Sequence, residues 1–281
     1  MSLWKLEIVT NEENAFEVAE ALGFLEQSEA QSVSLFDQGD EKLVEAIYLT
    51  EAEALTAQEN CGGDVSAIID KDWVSEVQSG LPAVLAGRFF VYGSHEKDNI
   101  PAEIAHPILI DAGMAFGTGH HGTTKGCLVI FDKLLTEGFK PSAILDLGCG
   151  AGILAIAAAK ALPDARIVAS DIDQDAVDVT LENARLNGAG EKMKVVQAEG
   201  FETPSLLDKQ FSLIFANILA GPLMGLAPDI YKATQKGGRV ILSGILNEQA
   251  ETVSNAFEAA GFAIFPGTAL EEWTSLLAVK N

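Results

Sequence analysis

Asp146-Leu147-Gly148-Cys149-Gly150-Ala151-Gly152 is the stretch whose residue types and spacing could do chemistry. It follows Ala143-Ile144-Leu145, a short apolar run that reads as a buried strand, and it opens into residues 153–161, a run of good helix formers. Strand, glycine turn and helix in that order make the first half of a nucleotide-binding βαβ unit. The glycines provide access: without a Cβ the backbone turns sharply and comes within contact distance of a ligand. The helix start behind the turn leaves unpaired N–H groups for a polar or anionic group.

The spacing of the turn is G-x-G-x-G, not the G-x-G-x-x-G of dinucleotide binders, and an acid, Asp146, sits inside it. A carboxylate is awkward beside a pyrophosphate but suits a ligand that carries an amino group and a sulfonium. Asp146, Gly148 and Gly150 therefore point to S-adenosylmethionine rather than NAD, against the plainer alternative of a tight structural turn. Asp171 ends the next expected strand, nineteen residues after Gly152. An acid there can accept hydrogen bonds from both ribose hydroxyls, although Asp173 and Asp175 beside it show that turn-capping acids are common here. Asn217-Ile218-Leu219-Ala220 closes a later strand. Ligand sites in open α/β sheets lie outside the carboxyl ends of strands, where Asn217 could hold an amine through its side-chain amide or could simply form the turn.

A second unusual stretch is Gly113-Met114-Ala115-Phe116-Gly117-Thr118-Gly119-His120-His121-Gly122-Thr123-Thr124, just before an expected helix. Glycines, small hydroxyls and one ring suit a lid over a cofactor. Thr124 is read as a cap or a ligand contact, and His121 as a structural hydrogen-bonder or a proton carrier. No metal site is expected, because adjacent His rings rarely chelate one ion and no third ligand is near.

Charge narrows the class of partner. The chain of 281 residues carries a net charge of −23. Residues 1–99 hold 20 acids against 5 bases, and residues 100–281 hold 21 against 13. Such a surface repels nucleic acid, whose binding needs Lys and Arg, and would steer a basic protein. Plain solubility is the alternative. Cys61, Cys127 and Cys149 are too scattered for a metal or disulfide pattern. A reducing, cytoplasmic setting is expected, with no signal peptide and no membrane span.

The elements that must position these residues fall into two patterns. Residues 3–9, 32–36, 43–49 and 65–69 read as strands. Helices are expected at 14–22, capped by Asn11, and at 51–60. The order β-α-β-β-α-β is the ferredoxin-like pattern, assigned to residues 1–70. Residues 71–98 form a connector, with a short helix carrying Trp73 and a strand over 87–93. It either hinges or is pinned to one side. Residues 99–281 alternate strands and helices, which predicts a mostly parallel sheet closed by an antiparallel pair over 262–266 and 273–279. The expected fold is thus α/β, with a small α+β domain in front.

With these residues in view, the chain resembles the bacterial methyltransferases that modify ribosomal protein eleven of the large subunit. The resemblance rests on residues 114–124, on 146–152, on Asp171-Ile172-Asp173, on residues 217–223, on Ser243-Gly244-Ile245-Leu246 and on Glu272-Trp273. It implies a seven-stranded Rossmann-like class I methyltransferase sheet behind a substrate-recognition domain. It implies S-adenosylmethionine contacts at Thr124, Gly148, Asp171 and Asn217, and a loop at Phe116, Gly117, Thr118 and Gly119 that closes over the methionine part. S-adenosylhomocysteine is the expected product. Lysine side chains and an N-terminal amine of a basic ribosomal protein are the implied substrates, with Asn217 aligning the amine and the enzyme acting as a monomer. One departure is that Tyr92-Gly93-Ser94-His95 stands where relatives carry a Pro-Trp type of strand end. A small-molecule or RNA methyltransferase, a non-catalytic adaptor and a dehydrogenase are the rivals. The acidic front argues against RNA, and the glycine spacing against NAD.

Overall fold

The computed structural model describes residues 3–11, 14, 15, 18, 22, 30, 32–38, 41–68, 83–110, 121–207 and 209–281. The chain divides into two compact units, residues 1–77 and 78–281.

In the first unit β1 (Leu3–Thr10), β2 (Ser32–Gln38), β3 (Glu41–Tyr48) and β4 (Asp64–Ile68) form one antiparallel sheet in the order β2-β3-β1-β4. Alternation decides its faces. Leu6 and Ile8 of β1 and Val44, Ala46 and Tyr48 of β3 are buried, and they join Ala54 of α1 (Glu51–Cys61) in one cluster. Thr50 starts α1 with a reciprocal capping box to Glu53. Asn11 accepts a hydrogen bond from the Asn14 N–H at 2.9 Å, the cap expected there, while most of the helix expected over 14–22 lies outside the described residues.

The second unit carries a seven-stranded mixed sheet in the order β10-β9-β8-β11-β12-β14-β13. Its strands are β8 (Ala143–Leu147), β9 (Arg166–Asp171), β10 (Met193–Gln197), β11 (Phe211–Asn217), β12 (Thr234–Leu246), β13 (Ala263–Leu270) and β14 (Trp273–Val279). The first five are parallel neighbours, and β14 runs antiparallel to both β12 and β13. The sheet is covered on both faces, which explains its unbroken apolar strands. Ile144, Leu213 and Phe215 face one layer, with α2 (His121–Thr136) and α3 (Ile153–Ala161). Leu145, Ile214 and Ala216 face the other, with α5 (Ala220–Ala233) and α6 (Ala250–Ala259). The remaining helix, α4 (Gln174–Leu186), follows β9.

Residues 84–109 belong to this second core. Strands β5 (Val84–Ala86), β6 (Phe89–Tyr92) and β7 (His106–Leu109) make a three-stranded sheet. Val84, Phe89 and Ile108 share a buried cluster with Phe131 and Ile144. Phe89 stacks on Phe131 at 5.5 Å, and Phe131 meets Phe215 edge-on at 5.2 Å. Arg88 is paired with Asp132 of α2. The short helix expected around Trp73 lies outside the described residues.

Helix α5 begins at Ala220 and accommodates Pro222 in its first turn, where no N–H is required. Strand β12 begins at Thr234 and runs through Gly237 and Gly238. Pairing to the C-terminal strand captures it: the Gly237 N–H donates to the Lys280 carbonyl at 2.7 Å, and the Lys280 N–H to that of Gly238 at 3.0 Å.

Asn187, at the end of α4, fixes the end of β7. Its amide nitrogen donates to the Leu109 carbonyl at 2.7 Å, and its amide oxygen accepts from the Leu109 N–H at 3.0 Å. Asn187→Ala orphans both backbone groups and should cost about 2 kcal/mol. A drop in melting temperature of about 4–8 °C for a unit of this size would check it. An unchanged melting curve would refute the clamp.

Candidate functional site

Strand order reverses between β8 and β11, since β9 and β10 lie to one side of β8 and β12 and β14 to the other side of β11. That reversal opens a crevice outside the carboxyl ends of these strands. Asp146, Gly148, Gly150, Asp171 and Asn217 all lie at this end of β8, β9 and β11.

The turn is built from three glycines with positive φ: Gly148 at 70°, Gly150 at 52° and Gly152 at 80°. Side chains are rarely tolerated there. Space is restricted as well. A Cβ on Gly148 would overlap the Ile218 side chain, and one on Gly152 would meet Thr180 at 2.8 Å. Along the turn, Cys149 and Ala151 are buried while Gly148 and Gly150 stay partly open. The N–H groups of Gly148 and Cys149 both donate to the Ser170 carbonyl, at 2.8 and 3.0 Å, which ties the turn to the end of β9.

Both carboxylates hold backbone donors. Asp146 shares a strand face with Ile144 and so points at α3, where it accepts from the Ala155 N–H at 2.9 Å. Gly152, the residue before α3, offers no side-chain cap, so Asp146 supplies one from the sheet. It is only 1% exposed, and burial pushes its carboxyl up to about 7, against the lowering effect of that hydrogen bond and with the help of the nearby Asp171 charge. Asp171 is half-buried. One oxygen accepts from the Gly150 N–H at 2.9 Å and the other from the Asp173 N–H at 3.1 Å, leaving further lone pairs toward the crevice. Asp173 is the helix cap, accepting from the Asp175 N–H at 2.9 Å, so the three neighbouring acids have separate roles.

Asn217 ends β11 opposite Ser243 of β12. Its half-buried amide makes no hydrogen bond to any described residue. A Cβ on Gly244 (φ 77°) would overlap the Ile218 carbonyl, so glycine there lets β12 approach the chain just past Asn217. The Ser243 hydroxyl bonds the Ser275 hydroxyl at 2.8 Å and the Thr123 carbonyl at 3.2 Å. It thereby holds the first turn of α2, which contains buried Thr124, beside the end of β12. Phe116, Gly117, Thr118 and Gly119 lie outside the described residues, as does the side chain of His121.

The model of the ribosomal protein L11 methyltransferase family (PrmA) matches residues 3–281. The chain belongs to this family. The ribosomal protein L11 methyltransferase of Rhodopseudomonas palustris (strain BisB5) is 40% identical over 288 residues, covering 98% of this chain and 96% of that one. That of Bradyrhizobium diazoefficiens is 48% identical over 211 residues, 75% of this chain and 70% of the relative. A crystal structure of ribosomal protein L11 methylase from Lactobacillus delbrueckii subsp. bulgaricus superposes with a TM-score of 0.62 at 29% identity, covering 71% of this chain and 99% of that one. The α/β methyltransferase fold with its seven-stranded mixed sheet is thus the fold of the family.

Within this family framework the structure adds residues that sequence reading passed over. Thr180 and Asn183 of α4 are buried, and they donate to the carbonyls of Gly150 and Ala151 at 2.7 and 2.9 Å. A signal for them exists: they share the buried stripe of α4 with Ala176, Val177 and Ala184, and polar residues on such a stripe need partners.

The buried Asp146 makes stability depend on pH. Its folded value of about 7 stands above the ordinary 3.8, so the folded state favours the neutral form. Below about pH 4 both states are protonated and the group costs nothing. Stability falls as pH rises toward 7, and the penalty is complete above it. Asp146→Asn keeps the acceptor for Ala155 and should raise the melting temperature by about 3 °C or more at pH 8, with no gain at pH 4. Equal gains at both pH values would show that ionisation of Asp146 is not the cause.

Proposed function

We propose that this chain transfers methyl groups from S-adenosylmethionine to amines of ribosomal protein L11, both lysine side chains and the N-terminal amine. The observation that carries the reading is the family match over residues 3–281. The crevice supports it. Its glycine turn, Asp171 and the Asn217 amide, which bonds to no described residue, lie at the carboxyl ends of neighbouring strands, where an adenosine and a reacting amine would meet.

The residues fit the cofactor. Gly148 and Gly150 would let the backbone approach it, and Asp171 would accept from the ribose hydroxyls. Asp146 and Thr124 stand at the same end of the sheet, and Phe116 to Gly119 are assigned to the methionine part by the family resemblance alone. The cofactor supplies a methyl carbon made electrophilic by its sulfonium, so the nitrogen–carbon bond forms as the carbon–sulfur bond breaks and S-adenosylhomocysteine leaves. The protein has mainly to position the partners. The attacking amine must be neutral, and for a lysine with a free pKa near ~10.4 this costs about 4–5 kcal/mol at pH 7. A partly dry pocket lowers that cost by disfavouring the ammonium. Asn217 would accept a hydrogen bond from the neutral amine through its carbonyl oxygen and so orient the nitrogen lone pair toward the methyl carbon, with the proton released to water.

The first unit, a ferredoxin-like domain over residues 1–70, recognises the substrate. Residues 1–99 carry 20 acids and 5 bases, which suits a basic ribosomal protein and disfavours nucleic acid. The methyltransferase domain takes in the strands over 84–92 of the expected connector 71–98 as well as residues 99–281, and the enzyme acts as a cytoplasmic monomer. Among the described residues no helix is long and apolar enough to cross a membrane.

Mass spectrometry of purified L11 incubated with the enzyme and S-adenosylmethionine should show added multiples of one methyl group on lysines and the N-terminus. Unmodified L11 would refute the reading. Asn217→Ala should lower kcat about 100-fold or more while S-adenosylhomocysteine affinity falls by less than about tenfold. A near-normal kcat would remove Asn217 from the mechanism. Deleting residues 1–70 should leave S-adenosylhomocysteine affinity intact and abolish methylation of L11, and efficient methylation by the shortened chain would refute the docking role.

A further inference from the structure

The sheet of the first unit has two unlike faces. One set of alternate positions, Leu6 and Ile8 of β1 and Val44, Ala46 and Tyr48 of β3, is buried and packs with Ala54 of α1. The other set is Lys5, Glu7 and Val9 of β1, Leu43, Glu45 and Ile47 of β3, and Asp64 and Ser66 of β4. None of these is buried, and Val9 is 56% exposed. Register arranges this open face in rows. Glu45 pairs with Glu7, and Glu7 with Asp64, so three acids stand directly opposite one another on three neighbouring strands. On one side the next row holds Ile47, Lys5 and Ser66, and on the other Leu43 pairs with Val9. Lys5 bonds Glu7 at 2.9 Å and reaches Glu45 at 4.0 Å, while Asp64 makes no ion pair with a described residue.

We infer that this open face of β3, β1 and β4 is the surface on which a lysine-bearing patch of the substrate protein docks. The substrate's ammonium groups meet the row Glu45, Glu7 and Asp64, and its apolar neighbours meet Val9, Leu43 and Ile47. The physical reason is that the face is poorly suited to stand alone. Like charges directly opposite one another in a sheet are destabilising, and the half-exposed apolar side chains beside them gain little from water. A partner that brings cations and apolar surface satisfies both. Charge complementarity selects that occupant. Three carboxylates against the one ammonium of Lys5 leave a net charge of −2 on the row. Nucleic acid would be repelled, and a second copy of the chain packed two-fold on this face would set the acids against themselves.

This inference rests on the reading that the first unit recognises the substrate, and the two fail separately. Methylation rates of purified L11 at saturating S-adenosylmethionine give KM and kcat. Glu45→Gln combined with Asp64→Asn leaves the Lys5–Glu7 pair intact. It should raise KM for L11 about tenfold at unchanged kcat, flatten the rise of KM with salt, and melt no lower than the wild type. Val9→Lys, a change at an exposed position, should raise KM at least as much. Glu51→Gln combined with Glu59→Gln removes the same charge from exposed positions of α1 and should leave KM within about twofold. Wild-type KM in either face variant overturns the inference, and so does an equal rise for the α1 pair. Should the Glu45 and Asp64 double variant fail to fold, Val9→Lys decides the matter. If the face variants keep wild-type KM while deletion of residues 1–70 abolishes methylation, the docking role of the unit stands without this face. Efficient methylation by the shortened chain overturns both. A wild-type chain that sediments as a dimer, with Val9→Lys a monomer of unchanged KM, assigns the face to a second copy and overturns the inference.

Discussion

A turn of five residues, Gly148 to Gly152, must expose its backbone to a ligand and still satisfy its own polar groups. The rest of the second unit is arranged around that constraint. β9 accepts two of its N–H groups at the Ser170 carbonyl, and Asp171 accepts a third. α4 supplies the donors for two carbonyls through Thr180 and Asn183. Asp146 caps the helix that the turn leads into. A buried polar group left without a partner costs more than a made hydrogen bond gains. Four elements are therefore locked to one another by a stretch that contributes little side-chain packing of its own.

The two carboxylates at this end of the sheet have different tasks because their surroundings differ. Asp146 is sealed under α3, and burial holds its proton affinity high. Asp171 is half-buried, braced by two N–H donors and still open on its remaining lone pairs. A cationic cofactor would lower the penalty that Asp146 imposes on the empty fold, since a nearby positive charge favours the ionised form. Local instability and ligand affinity are then two aspects of one charge placement, a common pattern at functional sites.

Family membership extends this chemistry to a macromolecular substrate. A methyltransferase sheet by itself says little about what is methylated, because one fold hosts many reactions. The acidic balance of residues 1–99 and the separate four-stranded sheet of the first unit are the features that suit a basic protein. Asn217 suits an amine for a simpler reason: a neutral amide can hold a neutral nitrogen without competing with it for a proton.

Much of this was legible in the residues themselves. The glycine turn, Asp171 and Asn217 could be placed at strand ends because apolar runs, glycine stops and alternating elements mark a parallel sheet locally. Asn11 could be read as a cap for the same reason, since its partner is three residues away. Strand order, the pairing of Asn217 with Ser243, the bond of Ser243 to the Thr123 carbonyl, and the buried contacts of Thr180 and Asn183 join residues that lie tens to more than a hundred positions apart. Local pattern carries no record of such contacts. The capture of residues 84–109 into the second core and the run of β12 through Gly237 were likewise decided by packing and by the last strand of the chain. Sequence alone determined which residues could do chemistry and at which strand ends they stand. Only the tertiary structure decided how their backbones are held, because holding them takes hydrogen bonds between elements distant in the chain.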